Sequence, residues 1–300
     1  MPREAVKRAA AGDVEIAYET FGDPANPPVV LVMGLGVQML GWREGFCSGL
    51  AERGCFVVRF DNRDTGLSTH FHGAPPPDLE AASAGDASSA AYTLSDMARD
   101  TVALLDALGL DGAHLVGASM GGMIAQTAAI EHPERVRSLT SIMSTTGDPE
   151  VGQASEAALS VLLAPPASTR EEAIERTVGT YRVTGSPAFA FDEEGISERA
   201  GIAYDRAHDP PGSTRQLVAI LASGDRTERL GSVRVPTLVM HGAADVLVNP
   251  SGGRATAAAI PGAELVLLDG VGHDLPEALW PELIGRIGAV VRRAEGARTV

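Results

Sequence analysis

The feature that most restricts the fold is the stretch from Ala113 to Glu131. A short apolar run (113–116) meets the pentapeptide Gly117-Ala118-Ser119-Met120-Gly121, and apolar residues then recur at helical spacing. A G-x-S-x-G pentapeptide between a strand and a helix predicts a sharp turn that exposes the serine hydroxyl above the sheet. Glycine is needed on both sides of the serine because a Cβ there would collide with the closely packed strand and helix.

The pentapeptide alone is a weak signal, since the chain contains 34 glycines. The alternative interpretation is a glycine-rich turn whose serine caps the following helix. The strand before the turn and the helix after it favour the first interpretation. In that case the Met120 N–H lies at a helix N-terminus, where a backbone donor stabilises developing negative charge.

Strand and helix patterns alternate toward both ends of the chain. Continuous apolar runs, typical of strands buried on both faces, occur at 29–33, 55–60, 136–143, 237–241 and 264–268. Residues 148–228 instead contain short helical patterns and proline pairs, and residues 71–91 are expected to form a surface insertion. The chain therefore predicts an α/β fold. Residues 1–147 and 229–300 would form a mostly parallel sheet flanked by helices, with residues 148–228 inserted as a helical cap.

A reactive serine needs a base that takes its proton and an acid that orients the base. In a parallel sheet these groups lie at the carboxyl ends of strands, and after this kind of turn they follow in the order acid, then histidine. Asp245 comes just after one of the last two apolar runs, and His273 follows the other in a glycine-rich loop. We predict that Ser119, Asp245 and His273 are catalytic. Asp274 and Asp269 are the competing acids, and Asp269 is expected to brace the loop.

The other histidines have weaker positions. His241 ends a strand run and is expected to be structural. His70 and His72 form a His-x-His pair, but no third ligand is near them in the sequence, so we expect no metal site. No G-x-G-x-x-G follows the first buried strand, which argues against a dinucleotide, and we expect no cofactor.

An oxyanion formed at the serine needs a second N–H besides that of Met120. The loop after the first buried run, Met33-Gly34-Leu35-Gly36, has Leu35 where this donor is expected, although an ordinary glycine turn is the alternative. Asp61, Arg63 and Ser68 are expected to form a polar turn braced by internal hydrogen bonds. Aromatic residues that would either line an apolar substrate pocket or simply pack are Trp42, Tyr181, Phe189 and Phe191.

The net charge of −15 argues against nucleic acids and anionic membrane surfaces as partners. Residues 1–13 lack an apolar segment, so no signal peptide is predicted, and no run of 18 apolar residues predicts a membrane span. Cys47 and Cys55 are too few for a disulfide framework and are expected to be free thiols. A cytoplasmic protein that acts on a small molecule is expected, with its oligomeric state left open.

Together these residues resemble the α/β-hydrolase superfamily over nearly the whole chain. Within it, residues 31–36 (Leu-Val-Met-Gly-Leu-Gly), 40–42 (Leu-Gly-Trp) and 59–68 (Arg-Phe-Asp-Asn-Arg-Asp-Thr-Gly-Leu-Ser) look closest to the aclacinomycin methylesterase group. Enzymes of that group hydrolyse a methyl ester on an anthracycline polyketide. The resemblance implies an α/β-hydrolase fold, a catalytic triad and an oxyanion hole formed by the residues already named.

The expected activity is that of a serine hydrolase that cleaves a carboxylic ester of a small organic molecule through an acyl-enzyme intermediate. A methyl ester is one candidate substrate. The same triad would also serve a lactonase, a C–C bond hydrolase or a cofactor-free perhydrolase. A ligand-binding receptor on a hydrolase scaffold is the alternative from another class, and multiple turnover that depends on Ser119 distinguishes the two classes.

Overall fold

The structure, a computed structural model, describes residues 6–298. The predictions for residues 1–5 and 299–300 lie outside this range. The strands are β1 (Lys7–Ala11), β2 (Val14–Phe21), β3 (Pro28–Val32), β4 (Phe56–Phe60), β5 (Ala113–Ala118), β6 (Val136–Ile142), β7 (Thr237–Gly242) and β8 (Glu264–Leu268). The helices are α1 (Glu44–Ala51), α2 (Leu79–Ser83), α3 (Leu94–Ala107), α4 (Met120–Glu131), α5 (Glu156–Leu162), α6 (Arg170–Thr184), α7 (Glu193–Arg206), α8 (Pro210–Ser223), α9 (Thr227–Leu230), α10 (Pro250–Ala259) and α11 (Trp280–Arg298).

All eight strands belong to one sheet in the order β1-β2-β4-β3-β5-β6-β7-β8. β1 and β2 run antiparallel to their neighbours, and β3 to β8 are parallel to one another. The carboxyl ends of β3, β5, β7 and β8 therefore meet at one edge of the sheet. The loops that follow these four strands carry the predicted catalytic and oxyanion residues, so the topology brings the loops together.

The sheet is covered on both faces. Val30 and Val32 belong to an apolar cluster with α3 and α4, whereas Val29 and Leu31 belong to a second cluster with α1 and α11. Alternate side chains of a strand point to opposite faces, so β3 contributes to both clusters. Thr93 caps α3 through a reciprocal pair with Asp96, which fixes the start of the helix. The predicted α/β fold with a mostly parallel, doubly covered sheet is confirmed.

Five helices, α5 to α9, lie between β6 and β7, and within the described chain this interval has no strand. Helices α5 to α8 lie within residues 148–228, the range predicted for the cap, and α6 packs along α7. The division into core and cap remains a prediction. Residues 71–91 are mostly exposed and contain only the short helix α2. Within residues 6–298, no helix has both the length and the apolar composition needed to cross a membrane.

Candidate active site

Ser119 lies in the sharp turn between β5 and α4, with φ 55° and ψ −122°. A Cβ on Gly117 would lie 2.0 Å from the Gly121 carbonyl oxygen, and one on Gly121 would lie 2.1 Å from that of Val32. The collision expected at both glycines is thus confirmed. A non-glycine residue at positive φ stores about 1–3 kcal/mol of strain, which the surrounding packing must offset. Within the described chain the Ser119 side chain makes no capping hydrogen bond to α4, contrary to the helix-cap interpretation.

The loops after β7 and β8 are tied together by main-chain hydrogen bonds. Ala243 N–H donates to Leu268 O and Ala244 N–H to Val271 O, both at 2.9 Å. Their side chains then meet, with Asp245 Oδ2 2.7 Å from His273 Nδ1. An ionised carboxylate only accepts hydrogen bonds, so the imidazole proton is on Nδ1 and Nε2 is left with a free lone pair.

Asp245 is buried, yet its surroundings favour the charged form. Its Oδ1 accepts the N–H groups of Leu247 and Val248, both at 2.9 Å. Burial raises the pKa of Asp245. The hydrogen bonds from His241, His273 and the Val248 N–H outweigh burial and lower this pKa to about 2. Asp245 is therefore ionised at any pH near neutrality.

The competing acids have other contacts. Asp269 is exposed. Asp274 accepts a hydrogen bond from the Ser186 hydroxyl, and burial raises the pKa of its carboxyl group. His241 is fully buried, and its Nε2 lies 2.7 Å from the Val248 carbonyl oxygen, which agrees with the structural role expected for it.

The loop after β3 lies against the nucleophile turn. A Cβ on Gly34 would lie 3.1 Å from Ser119 Cβ. Two side chains hold this loop: Asn62 Nδ2 donates to Met33 O at 2.9 Å, and Gln216 Oε1 accepts the Gly36 N–H at 2.8 Å. In residues 6–298 neither the Leu35 N–H nor the Met120 N–H, the two predicted oxyanion donors, has a hydrogen-bond partner.

The polar turn after β4 is braced as predicted. Asp61 accepts the N–H groups of Met39 and Leu67 at 2.8 and 2.9 Å, and Ser68 Oγ donates to Asp61 O at 2.6 Å. Arg63 forms a bidentate pair with Asp100 of α3, with both distances 2.6 Å. Burial raises the pKa of Asp61, although the Arg206 guanidinium opposes the shift. The turn is a rigid buried unit beside the loop after β3.

The four predicted pocket aromatics have different surroundings. Trp42 is 1% exposed and packs on Phe46 in the core, which favours the packing interpretation. Phe189 is half-buried against the same cluster, and Phe191 is exposed beside the Arg182 guanidinium. Tyr181 is 36% exposed overall. Burial of its hydroxyl and the nearby Asp274 carboxyl raise the pKa of Tyr181.

The end of α6 holds the His273 loop, which the sequence did not predict. His273 N–H donates to Thr184 O at 2.6 Å, and Gly272 N–H donates to Ser186 Oγ at 3.0 Å. Gln216 likewise joins α8 to the loop after β3 without any sequence signal. Ser186 lies in the turn after a helix, and Gln216 lies inside a helix. Both residue types are common in those places, so neither residue stands out in the sequence.

A family model for the alpha/beta hydrolase fold matches residues 27–277. The chain belongs to this family. Rhodomycin D methylesterase DauP of Streptomyces sp. (strain C5) is 31% identical to it, over 94% of this chain and 96% of that protein. Rhodomycin D methylesterase DnrP of Streptomyces peucetius is 30% identical over the same shares.

Solved structures support the same assignment. A hydrolase from Pseudomonas aeruginosa PA01 superposes with a TM-score of 0.71 at 25% identity, covering 98% of this chain and 99% of that one. The resemblance to α/β-hydrolases of the methylesterase group, stated from the sequence motifs, is thereby confirmed.

Proposed function

We propose that this α/β-hydrolase is a serine esterase that cleaves a carboxylic ester of a small organic molecule through an acyl-enzyme intermediate. Three groups are proposed as its catalytic residues: Ser119, Asp245 and His273. The observation that carries the proposal is the strained, uncapped serine at the same sheet edge as a hydrogen-bonded acid–imidazole pair. That pair leaves a basic nitrogen at Nε2.

In the proposed mechanism His273 Nε2 takes the hydroxyl proton of Ser119 as Oγ attacks the ester carbonyl carbon. The imidazolium that forms is stabilised by the Asp245 carboxylate, which stays ionised because its pKa is about 2. The N–H groups of Leu35 and Met120 donate to the oxyanion of the tetrahedral intermediate. Both are free to do so, since each lacks a partner in the described chain.

Collapse of the intermediate breaks the bond to the alcohol oxygen, and the His273 imidazolium gives that oxygen its proton. A water molecule then attacks the acyl-enzyme carbonyl while His273 Nε2 takes a proton from it. A second tetrahedral intermediate releases the carboxylic acid and restores the Ser119 hydroxyl.

A methyl ester on a larger apolar acid is the substrate class we propose. The likeness to the two rhodomycin D methylesterases supports it, because each match covers 94% of this chain. Methanol is a small leaving group, so recognition would rest on the acid side of the substrate. Phe189, Phe191 and Tyr181, on the segment between β6 and β7, are the proposed apolar contacts, and Trp42 would support them from the core.

A panel of p-nitrophenyl and methyl esters tests the proposal with wild type, Ser119→Ala and Ser138→Ala. Ser138 is a matched control, since it is a buried serine near the amino end of β6 that pairs with His114. We expect kcat to fall about 10⁶-fold in Ser119→Ala, with folding retained, and the control to keep its activity. Equal rates in Ser119→Ala and wild type would contradict the assignment. Tight binding without turnover in wild type would favour the receptor alternative.

We also propose a cytoplasmic location and no nucleic-acid partner. The two cysteines, Cys47 and Cys55, are buried free thiols, as expected in a reducing compartment. Burial raises the pKa of the Cys47 thiol to about 12, so this group is unreactive in the folded protein. The net charge of −15 disfavours binding to phosphate backbones.

A further inference from the structure

Three metal-ligating side chains meet on the surface outside the candidate active site. His70 and His72 lie in the loop after β4, and Asp209 lies immediately before α8. Their ligand atoms all lie within 4.8 Å of one another. A metal at His70 and His72 was not expected because no third ligand is near them in the sequence. In the folded chain Asp209 lies beside the two histidines and offers the third ligand.

Both ring nitrogens of His70 face oxygen atoms. His70 Nε2 lies 3.0 Å from the Gly66 carbonyl oxygen, which can only accept, so this contact suits the tautomer with its proton on Nε2. Nδ1 lies 2.6 Å from Asp209 Oδ2, which is also an acceptor when ionised. Two lone pairs cannot face each other at this distance unless a second proton or a metal ion lies between them. Metal-binding histidines commonly donate their other ring N–H to a backbone carbonyl, as His70 does.

The Asp209 carboxylate is available for such a role. It occupies the N-cap position of α8, but in the described structure its side chain makes no capping hydrogen bond. Pro210 and Pro211 have no N–H, and the Gly212 N–H donates to the Asp209 main-chain oxygen instead. Arg215 Nη2 approaches Asp209 Oδ2 at 3.3 Å. That guanidinium is bidentate to Asp64, with both distances 2.8 Å, so most of its charge is already matched.

His72 completes the cluster from the solvent side. Its side chain is 71% exposed, and its Nδ1 lies 3.9 Å from Asp209 Oδ2. The rings of His70 and His72 are parallel within 5°, with centroids 5.3 Å apart. A zinc–imidazole bond is about 2.0–2.1 Å long, so metal binding requires the exposed His72 side chain to turn toward Asp209. The open side leaves room for a water as fourth ligand.

We propose that His70, His72 and Asp209 bind a divalent transition metal ion, with zinc the best match for two imidazoles and a carboxylate. The ion would lie between His70 Nδ1 and Asp209 Oδ2, which are 2.6 Å apart, so these two groups would move apart slightly to hold it. It would tie the loop after β4 to the start of α8. Helix α8 also carries Gln216, so the metal fastens the helix that holds the loop after β3.

Equilibrium dialysis against zinc alone tests this proposal, with a chain free of added histidines. The variants are His72→Ala, Asp209→Asn and the control His132→Ala, which removes a histidine at the end of α4. His72 is largely exposed, so its removal leaves the fold intact. We expect wild type and His132→Ala to bind one zinc per chain. We expect affinity at least about tenfold weaker in His72→Ala and Asp209→Asn.

Melting temperature provides the second readout. A ligand that binds only the folded state stabilises it by an amount that grows with the logarithm of ligand concentration over dissociation constant, so tighter binding gives a larger rise in melting temperature. At the same zinc concentration, the rise should be clearly smaller for His72→Ala than for wild type and His132→Ala. Less than one bound zinc per wild-type chain at saturating zinc, or equal zinc affinity in wild type and His72→Ala, would overturn the proposal. The direct hydrogen bond between His70 and Asp209 would then account for the geometry.

Discussion

The sheet and the helical segment between β6 and β7 are held in place by different interactions. Every residue of β3, β4 and β5 is buried, and apolar side chains pack on both faces of the sheet. By contrast, α6 buries only Val178 and Thr184 among its 15 residues. The sheet is stabilised mainly by apolar burial, whereas the helical segment lacks a comparable apolar interface.

The helical segment is held instead by polar contacts to the carboxyl edge of the sheet. The Arg215 pair with Asp64 and the 2.7 Å pair between Arg206 and Asp61 join α8 and α7 to the turn after β4. Gln216 holds the loop after β3, and the end of α6 holds the His273 loop. These contacts end on loops that carry, or lie beside, proposed catalytic groups. Changes in the helical segment should therefore alter turnover more than folding.

The largest effect on turnover is expected for Asp245→Asn, a change at the carboxyl edge of the sheet. An amide cannot hold the protonated Nδ1 of His273 as a carboxylate does, so the imidazole loses its tautomer and its charge stabilisation. We expect kcat to fall about 10⁴-fold, measured at saturating ester. The matched control is Asp269→Asn, an exposed acid in the same region, and it should keep the wild-type rate. Loss of turnover in the control instead would contradict the choice of acid.

A change in the helical segment, Gln216→Leu, should act on turnover. It removes the acceptor for the Gly36 N–H and frees the loop that presents Leu35. We expect kcat to fall about 10–100-fold with a smaller change in KM, because a displaced oxyanion donor weakens transition-state binding.

Thr65→Val is the control, since it removes another Gln216 partner, at 2.7 Å, but keeps the Gly36 contact. It should cost about 1 kcal/mol of stability and retain kcat. Equal losses of kcat in Gln216→Leu and Thr65→Val would contradict the proposal that the Gln216 contact to Gly36 acts on turnover rather than on folding.

Low pH should remove the stabilisation that the ionised Asp245 carboxylate gives to the fold. The pKa of Asp245 is about 2 in the folded chain against an ordinary 3.8. Its carboxylate stabilises the fold fully above about pH 4, and this stabilisation is lost as pH falls toward 2, because the unfolded chain takes up the proton first. The free energy of unfolding of wild type relative to Asp245→Asn should therefore fall by about 2 kcal/mol between pH 6 and pH 2. A pH-independent difference would contradict the lowered pKa.

The smallest effect is expected at the end of α6, in Ser186→Ala. The change leaves the Gly272 N–H without its acceptor and loosens the His273 loop, so kcat should fall about threefold to tenfold. Ser186→Thr keeps the hydroxyl and should restore the rate. Ser197→Ala is a matched control, because that hydroxyl donates to Glu193 O within α7. A rate loss in Ser197→Ala as large as in Ser186→Ala would mean that any change in this segment slows the enzyme.

The difference between the sheet and the helical segment also explains which features the sequence could predict. The nucleophile turn and the Thr93–Asp96 cap are local patterns, so their residues identify them without knowledge of the fold. Asp245 and His273 could be selected because parallel strands place their carboxyl ends at one edge. β1, whose residues are Lys-Arg-Ala-Ala-Ala, lacks a clear alternation of apolar and polar residues and was missed.

The contacts of the helical segment could not be predicted. Gln216 and Gly36 are 180 residues apart, and Asp209 and His70 are 139 residues apart. A single polar contact has no periodicity, so only the folded chain reveals its partner. α7 was also missed, because its sequence is rich in charged residues and buries only Ile196, Ala200 and Gly201.

The most direct test of the proposed nucleophile is labelling with a fluorophosphonate, followed by peptide mass mapping. The strained turn and the His273–Asp245 pair should make one serine reactive. We predict a single adduct on Ser119, absent from Ser119→Ala and formed much more slowly in Asp245→Asn. An adduct on another residue, or undiminished labelling of Ser119→Ala, would contradict the assignment of Ser119 as the nucleophile.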